Sequence, residues 1–287
     1  MQKVLVIVGP TASGKSDLAV QLAKKLNGEI ISADSRQVYK GLNVGTGKIT
    51  KREMQGIKHY LLDVADPRRQ FSVAEYKTLA ENSLRYIVTN SKLPIIVGGT
   101  GFYIDAVTGR VNFPDVPPNK LLRKKLDKLD NEKLFAMLKK KDPKRAKTID
   151  LHNKVRLIRA LEIVETLGKV PPSSMLKFSR TPAYKFVYIG LKPDDLEERI
   201  YKRLIKRIPG IIRETKKLSR KRAHELGLEY RFASLYLQKK LTRQDLVEKL
   251  NTAICQYTKR QMAWFKRNKK IRWFGPSQYK AIEKYVS

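Results

Sequence analysis

The sequence predicts an α/β protein: a parallel sheet flanked by helices, with a small all-helical insertion. Three observations carry this. Val4–Val8 is a continuous apolar, β-branched run, as expected of a strand buried on both faces. Strand-like and helix-like segments then alternate through the first hundred residues. Two Pro/Gly-rich breaks, at Gly109–Asn119 and Gly168–Ser174, bracket a stretch of purely helical character.

Taken in order, the first strand is followed by GPTASGKS and by DLAVQLAKKL, which has helical spacing. EIISA (Glu29–Ala33) reads as a second strand and PIIV (Pro94–Val97) as a third, with a helix over Val73–Val88 between them. LLRKKLDKL through KVRLIRALEIVETL is helical. FVYIGL (Phe186–Leu191) returns to strand character, long helices start near Leu196 and Gln244, and Lys270–Phe274 reads as a last strand. The expected organisation is a core over 1–114, an insertion over 115–178, and the rest of the core over 179–287.

The chain has 287 residues, 41% hydrophobic and 31% charged, enough to bury a sizeable core. Its 61 Lys+Arg outnumber 27 Asp+Glu, for a net charge of +34. Residues 1–115 hold 16 basic and 10 acidic side chains; residues 116–287 hold 45 and 17. The excess therefore sits in the second part, and its simplest use is to hold a polyanion, nucleic acid first. One cysteine, Cys255, excludes an internal disulfide and a Cys-rich zinc site, and His59, His152 and His224 lack ligand spacing. The apolar run at the N-terminus is too short for a signal segment or a membrane span. These features lead us to expect a cytoplasmic protein with no membrane association.

Gly9-Pro10-Thr11-Ala12-Ser13-Gly14-Lys15-Ser16 fits G-x-x-x-x-G-K-[ST] in the required context, after a strand and opening a helix. In such a loop the backbone N–H groups point at phosphate oxygens, Lys15 reaches the terminal phosphate, and the Ser16 hydroxyl holds Mg²⁺. The core is thus P-loop NTPase-like. The loop alone does not say what is transferred. The third strand ends in Gly98-Gly99-Thr100-Gly101, without the carboxylate that nucleotide-driven motors place there.

Asp34 closes EIISA and opens DSRQVY. Ends of neighbouring parallel strands share one crevice, so Asp34 is expected near the phosphate loop. Its position alone fits a general base, a group beside Mg²⁺, or a helix N-cap. Arg203 lies on LEERIYKRLIKRI, where Arg199, Arg203 and Arg207 flank the apolar stripe Leu196, Ile200, Leu204. A solvated basic face has the same pattern.

GPTASGKS, ISADSRQVY and VGGTGFY, in this order and spacing, resemble the tRNA dimethylallyltransferases (tRNA isopentenyltransferases, the IPP transferase family). HYLLDVADP, FSVAEYK, VRLIRALEI, RIYKRL and YTKRQMAWF extend the likeness over nearly the whole chain. The resemblance implies transfer of a dimethylallyl group from dimethylallyl diphosphate to N6 of the adenine 3′ of the anticodon. It implies Asp34 as the proton acceptor. Lys15, the loop amides, Mg²⁺ and Arg203 would hold the departing diphosphate, Thr11 would add a hydroxyl, and Thr100 would lie near the reacting centre.

By the same resemblance, Asp34, Ser35, Arg36 and Gln37 contact the target adenine and its neighbours, and Arg123 lies near a channel. Val155, Arg156, Leu157, Ile158 and Arg159 meet the anticodon loop, as does Lys259–Lys266, through Lys259, Arg260 and Gln261; the apolar stripe Leu246, Leu250, Ala253, Ile254, Tyr257 of that helix, read on its own, puts Trp264 in the core rather than on a base. Where relatives carry a Gly-Tyr pair, this chain has Glu229-Tyr230-Arg231; Tyr230 and Arg231 are still expected to contact RNA. A monomer is expected, one tRNA filling the cleft. Three alternatives stay open: transfer to free adenine nucleotides, a P-loop kinase, and a non-catalytic RNA-binding module.

Overall fold

The structure is a computed structural model that describes residues 1–172 and 184–286. The described residues form two compact units, and the chain leaves the first between Arg110 and Val111. The expected return junction at 178/179 lies outside the described residues, as do Ser173 and Ser174 of the second predicted break.

The first unit starts with β1 (Lys3–Val8), α1 (Lys15–Lys25), β2 (Gly28–Ser32), α2 (Lys51–Met54), β3 (His59–Tyr60), α3 (Val73–Thr89), β4 (Leu93–Gly98) and α4 (Gly101–Val107). The second unit holds α5 (Lys120–Leu126), α6 (Asn131–Lys141), α7 (Pro143–Ala146) and α8 (Lys154–Leu167). The first unit resumes with β5 (Lys185–Leu191), α9 (Leu196–Thr215), α10 (Arg220–Leu226), α11 (Leu228–Leu237), α12 (Arg243–Phe265), β6 (Arg272–Phe274) and α13 (Tyr279–Val286).

All strands pair in parallel, in the order β3-β2-β4-β1-β5-β6. β1 lies between β4 and β5, with Val6 beside both Ile96 and Tyr188. Alternate side chains of β1 enter two different cores. Val4, Val6 and Val8 meet Tyr76, Ala80, Leu84 and Ile87 of α3; Leu5 and Ile7 meet Leu18, Ala19, Leu22 and Ala23 of α1. A strand apolar at every position is what a sheet covered on both faces requires. Ser72 starts α3 with a capping box: its hydroxyl accepts the Glu75 N–H while Glu75 accepts the Ser72 N–H.

Beyond the sheet, Ile200, Leu204, Ile208 and Ile211 of α9 pack with Ala233 of α11 and Leu246, Leu250 and Ile254 of α12. The helical unit has its own core of Leu126, Leu134, Leu138, Leu157, Leu161 and Val164. At its centre Glu162, 1% exposed, accepts two hydrogen bonds from Arg123, both 2.7 Å, and the Asn119 N–H at 2.8 Å. β3 has no counterpart among the predicted strands. Its two half-buried residues pair only with β2 and form no apolar run.

Candidate active site

Three neighbouring strands, β2, β4 and β1, end side by side. The chain leaving each carries one part of the site: Asp34–Gln37, Gly99–Thr100 and Gly9–Ser16. This is the crevice at the carboxyl ends of an open sheet, where ligands bind.

The phosphate loop is curled tightly. Gly14 enters α1 at φ 87°, a left-handed conformation that glycine adopts without a steric penalty. Ala12 holds φ 61° despite its side chain, a strained geometry of the kind found at ligand sites. Lys15 folds back over the loop and donates to the Pro10 carbonyl at 2.5 Å and to the Ser13 hydroxyl at 3.3 Å. Burial, then the charge of Arg203, lowers its pKa to about 7, with Asp34 acting in the opposite sense. These three charges therefore share one crevice. Ser13 is fully buried, and its hydroxyl is engaged by Lys15.

Asp34 uses one carboxylate oxygen as a cap and leaves the other unengaged. Its Oδ1 accepts the N–H groups of Arg36 (2.8 Å) and Gln37 (3.3 Å) and so caps the following turn. Oδ2 has no hydrogen-bond partner among the described residues and is available for chemistry. Thr100 Oγ1 accepts the Ser35 N–H at 3.0 Å and lies 3.3 Å from its hydroxyl, tying the ends of β4 and β2 together.

Arg203 sits on the inner side of α9, and burial, then Arg207, lowers its pKa. It is not on a solvated face. Its guanidinium donates to the Gly47 carbonyl at 3.1 Å, which also accepts Gln37 Nε2 at 3.3 Å. The loop carrying Gly47 is fixed by two residues outside the expected site set. Glu214 accepts the N–H groups of Asn43, Val44 and Gly45 at 2.7–2.9 Å, and Arg207 donates to the Val44 and Gly45 carbonyls at 2.7 and 2.8 Å.

The sequence model of the IPP transferase family matches residues 37–268. The chain belongs to the IPP transferase family. The tRNA dimethylallyltransferase of Anoxybacillus flavithermus is 39% identical over 300 residues, spanning 100% of this chain and 94% of that protein. The tRNA dimethylallyltransferase of Bacillus subtilis is 38% identical over 286 residues, spanning 95% and 90%. A solved tRNA isopentenylpyrophosphate transferase of Bacillus halodurans aligns with a TM-score of 0.70 and 35% identity, over 99% of this chain and 95% of that one. A eukaryotic dimethylallyltransferase acting on tRNA aligns with a TM-score of 0.83 and 26% identity, over 99% and 76%.

In this IPP transferase four residues expected at RNA lie elsewhere. Tyr230 is 1% exposed and donates its hydroxyl to Glu214 at 2.9 Å. Leu157 and Ile158 are buried in the helical core, while Val155 is 67% exposed and Arg156 also faces solvent. Five consecutive helical residues cannot share one face, which rules out a continuous contact over 155–159. Gln261 is buried: its Oε1 accepts the Thr11 N–H at 3.1 Å and its Nε2 donates to the Gly99 carbonyl at 2.8 Å.

Arg123 is held by Glu162 yet keeps 42% of its side chain exposed, and Arg159 donates to the Val116 carbonyl at 2.8 Å. Lys259 and Arg260 are exposed on α12, and half-buried Arg231 lies over the Phe232 ring at 4.9 Å. Trp264 packs: it donates to Asp105 at 2.9 Å and meets Phe102 edge-on. Glu229, at the departure from the Gly-Tyr pair, places its carboxylate 3.7 Å from Arg207. Burial raises its pKa and Arg207 opposes the rise.

Proposed function

We propose that the protein transfers a dimethylallyl group from dimethylallyl diphosphate to N6 of the adenine 3′ of the anticodon, position 37, in tRNA. The observation that carries this is the free Oδ2 of Asp34, one strand away from a phosphate loop, in a chain of this family. An exocyclic adenine amine is a weak nucleophile because its lone pair is delocalised into the ring. As N6 bonds to the allylic carbon, the carbon–oxygen bond to diphosphate breaks and the N6 proton passes to Asp34. The leaving charge meets the loop amides, Lys15 and Arg203.

The Ser16 hydroxyl, on the first turn of α1, has no hydrogen-bond partner among the described residues. One hydroxyl together with diphosphate oxygens and water is a normal Mg²⁺ donor set. The described residues contain no cluster of three His, Cys, Asp or Glu side chains, so on this reading the ion enters with the diphosphate. It would supply charge neutralisation at the leaving oxygens.

Thr100 lies at the reacting centre. Ser35, Arg36 and Gln37 face the target base. Arg231, Lys259, Arg260, Val155, Arg156, Arg159 and Arg123 contribute to the RNA surface, mostly through phosphate contacts. We expect a monomer at work in the cytoplasm; its helical insertion, expected over 115–178, begins a few residues earlier, at Val111. Among the described residues no helix is long and apolar enough to cross a membrane.

The test is incubation with labelled dimethylallyl diphosphate and Mg²⁺, offering unmodified tRNA, AMP or no acceptor. Label in tRNA alone supports the reading. Label in AMP points to a free nucleotide as acceptor, and no label in any of them sinks prenyl transfer.

A further inference from the structure

Gln261 does work that neither a basic helix face nor an RNA contact explains. It lies on α12, far along the chain from both partners, and is 7% exposed. Its amide orientation is unambiguous: the Thr11 N–H can only donate and the Gly99 carbonyl can only accept, so a flipped amide would break both bonds. Its neighbours on the same face, Thr258 and Phe265, are buried and fix the helix that carries it. Gly99 has no side chain, and a Cβ there would collide with Gln261 Nε2. One turn further along α12, Trp264 lies against Gly101 in the same way. α12 thus grips the turn between β4 and α4 at two points.

A continuous bonded path follows. It runs from the Thr11 N–H in the phosphate loop through the Gln261 amide to Gly99. From there it passes along the chain to Thr100, and from Thr100 Oγ1 to the N–H of Ser35, next to Asp34. We infer that Gln261 is a positioning residue that holds the diphosphate loop and the acid-bearing loop in register across the three strand ends. This deepens the reading given above and rests on it for the identity of the donor. The Thr11 N–H is committed to Gln261, so the rest of the loop supplies the phosphate contacts. Without its acceptor this half-buried N–H loses the one side-chain bond that ties the loop to α12, and the loop is free to deform.

The experiment compares the parent with Gln261→Glu and Gln261→Met. Inorganic pyrophosphate is titrated calorimetrically between about pH 5 and pH 9, tRNA affinity is measured by filter retention, and folding is checked by thermal melting. An ionised glutamate still accepts from Thr11 but offers Gly99 no donor; a protonated one restores both bonds. At high pH both variants should bind pyrophosphate about tenfold more weakly than the parent. On acidification the deficit of Gln261→Glu relative to the parent should shrink to about twofold, while that of Gln261→Met persists. A generally loosened fold would not be rescued by protonation of one side chain.

Transfer by the variants should show a raised KM for dimethylallyl diphosphate and tRNA affinity within about twofold of the parent. Parent-like pyrophosphate affinity in the folded variants overturns the inference, as does a Gln261→Glu deficit independent of pH. Weakened tRNA binding with normal pyrophosphate affinity returns Gln261 to the RNA surface and equally overturns it. A parent that transfers no dimethylallyl group defeats the proposed function instead; the pyrophosphate titration still decides the role of Gln261.

Discussion

Lys15 Nζ lies 2.5 Å from the carbonyl oxygen of Pro10, so the amine meant for a phosphate is folded back onto its own loop. Burial and the charge of Arg203 bring its pKa down to about 7. Above that pH much of the free protein holds Lys15 as a neutral amine. A bound diphosphate stabilises the ammonium, so binding at pH 8 takes up a proton. Pyrophosphate affinity should therefore fall between pH 7 and pH 9, by up to about tenfold per unit. Calorimetry in two buffers of different ionisation enthalpy reads the uptake directly, with Lys15→Met as the control for protonation of pyrophosphate itself. Equal proton uptake by parent and control would count against the assignment.

Asp34→Asn separates the two jobs of this side chain. The amide oxygen still caps the turn at Arg36 and Gln37, so the loop keeps its shape. The proton acceptor is lost. Single-turnover transfer should slow by about 10²–10⁴-fold, with tRNA affinity unchanged. A variant that turns over near the parental rate would remove Asp34 from the chemistry.

What could be read in advance follows from how each feature is encoded. The strands from Val4, Pro94 and Phe186 are continuous apolar runs, and the one from Glu29 has an apolar centre, because a sheet covered on both faces favours apolar positions throughout. The two-residue β3 leaves no such trace. The phosphate loop and Asp34 are legible because local sequence and strand order suffice to bring them together. Gln261 is not: a polar side chain between Arg260 and Met262 reads as surface. Its only signal is its place on the spacing Leu250, Ile254, Thr258, Gln261, Phe265, all of which are buried. Glu214 was hidden more fully, since three of its partners are backbone N–H groups that no residue type announces.

The same carboxylate predicts a division between stability and binding. Tyr230→Phe removes one of four hydrogen bonds to Glu214 and should cost about 1 kcal/mol in thermal unfolding, with tRNA affinity intact. Glu214→Ala frees the backbone of Asn43, Val44 and Gly45, and with it the Gly47 carbonyl that orients Arg203. Its KM for dimethylallyl diphosphate should rise several-fold where Tyr230→Phe leaves it unchanged. If Tyr230→Phe weakens tRNA binding instead, the phenol has a role in RNA contact after all.

Charge makes a separate claim. If the 45 basic residues beyond position 115 hold RNA phosphates, tRNA affinity should fall steeply with salt. Lys259→Ala and Arg260→Ala, exposed on α12, should each lower the log–log slope by about 0.7–0.9. An unaltered slope in both would place the RNA on another face.

Glu162 gives the helical unit an acid limit. Burial alone would raise its pKa, but Arg123, the Asn119 N–H and Arg159 outweigh burial and hold it below the usual glutamate range. A carboxyl whose pKa is lower in the folded state stabilises that state above its unfolded pKa, about 4.3. The contribution is lost as pH falls through the folded value. Acid unfolding of the helices should therefore begin below about pH 4, and Glu162→Gln should bring the loss to neutral pH. Arg123 keeps part of its hydration, with 42% of its side chain exposed, so the cost should be about 1–3 kcal/mol rather than that of a fully buried pair. Circular dichroism melts of parent and variant between pH 3 and pH 7 test this: the two curves should converge at the acid end, and a constant gap would mean that another group sets the limit.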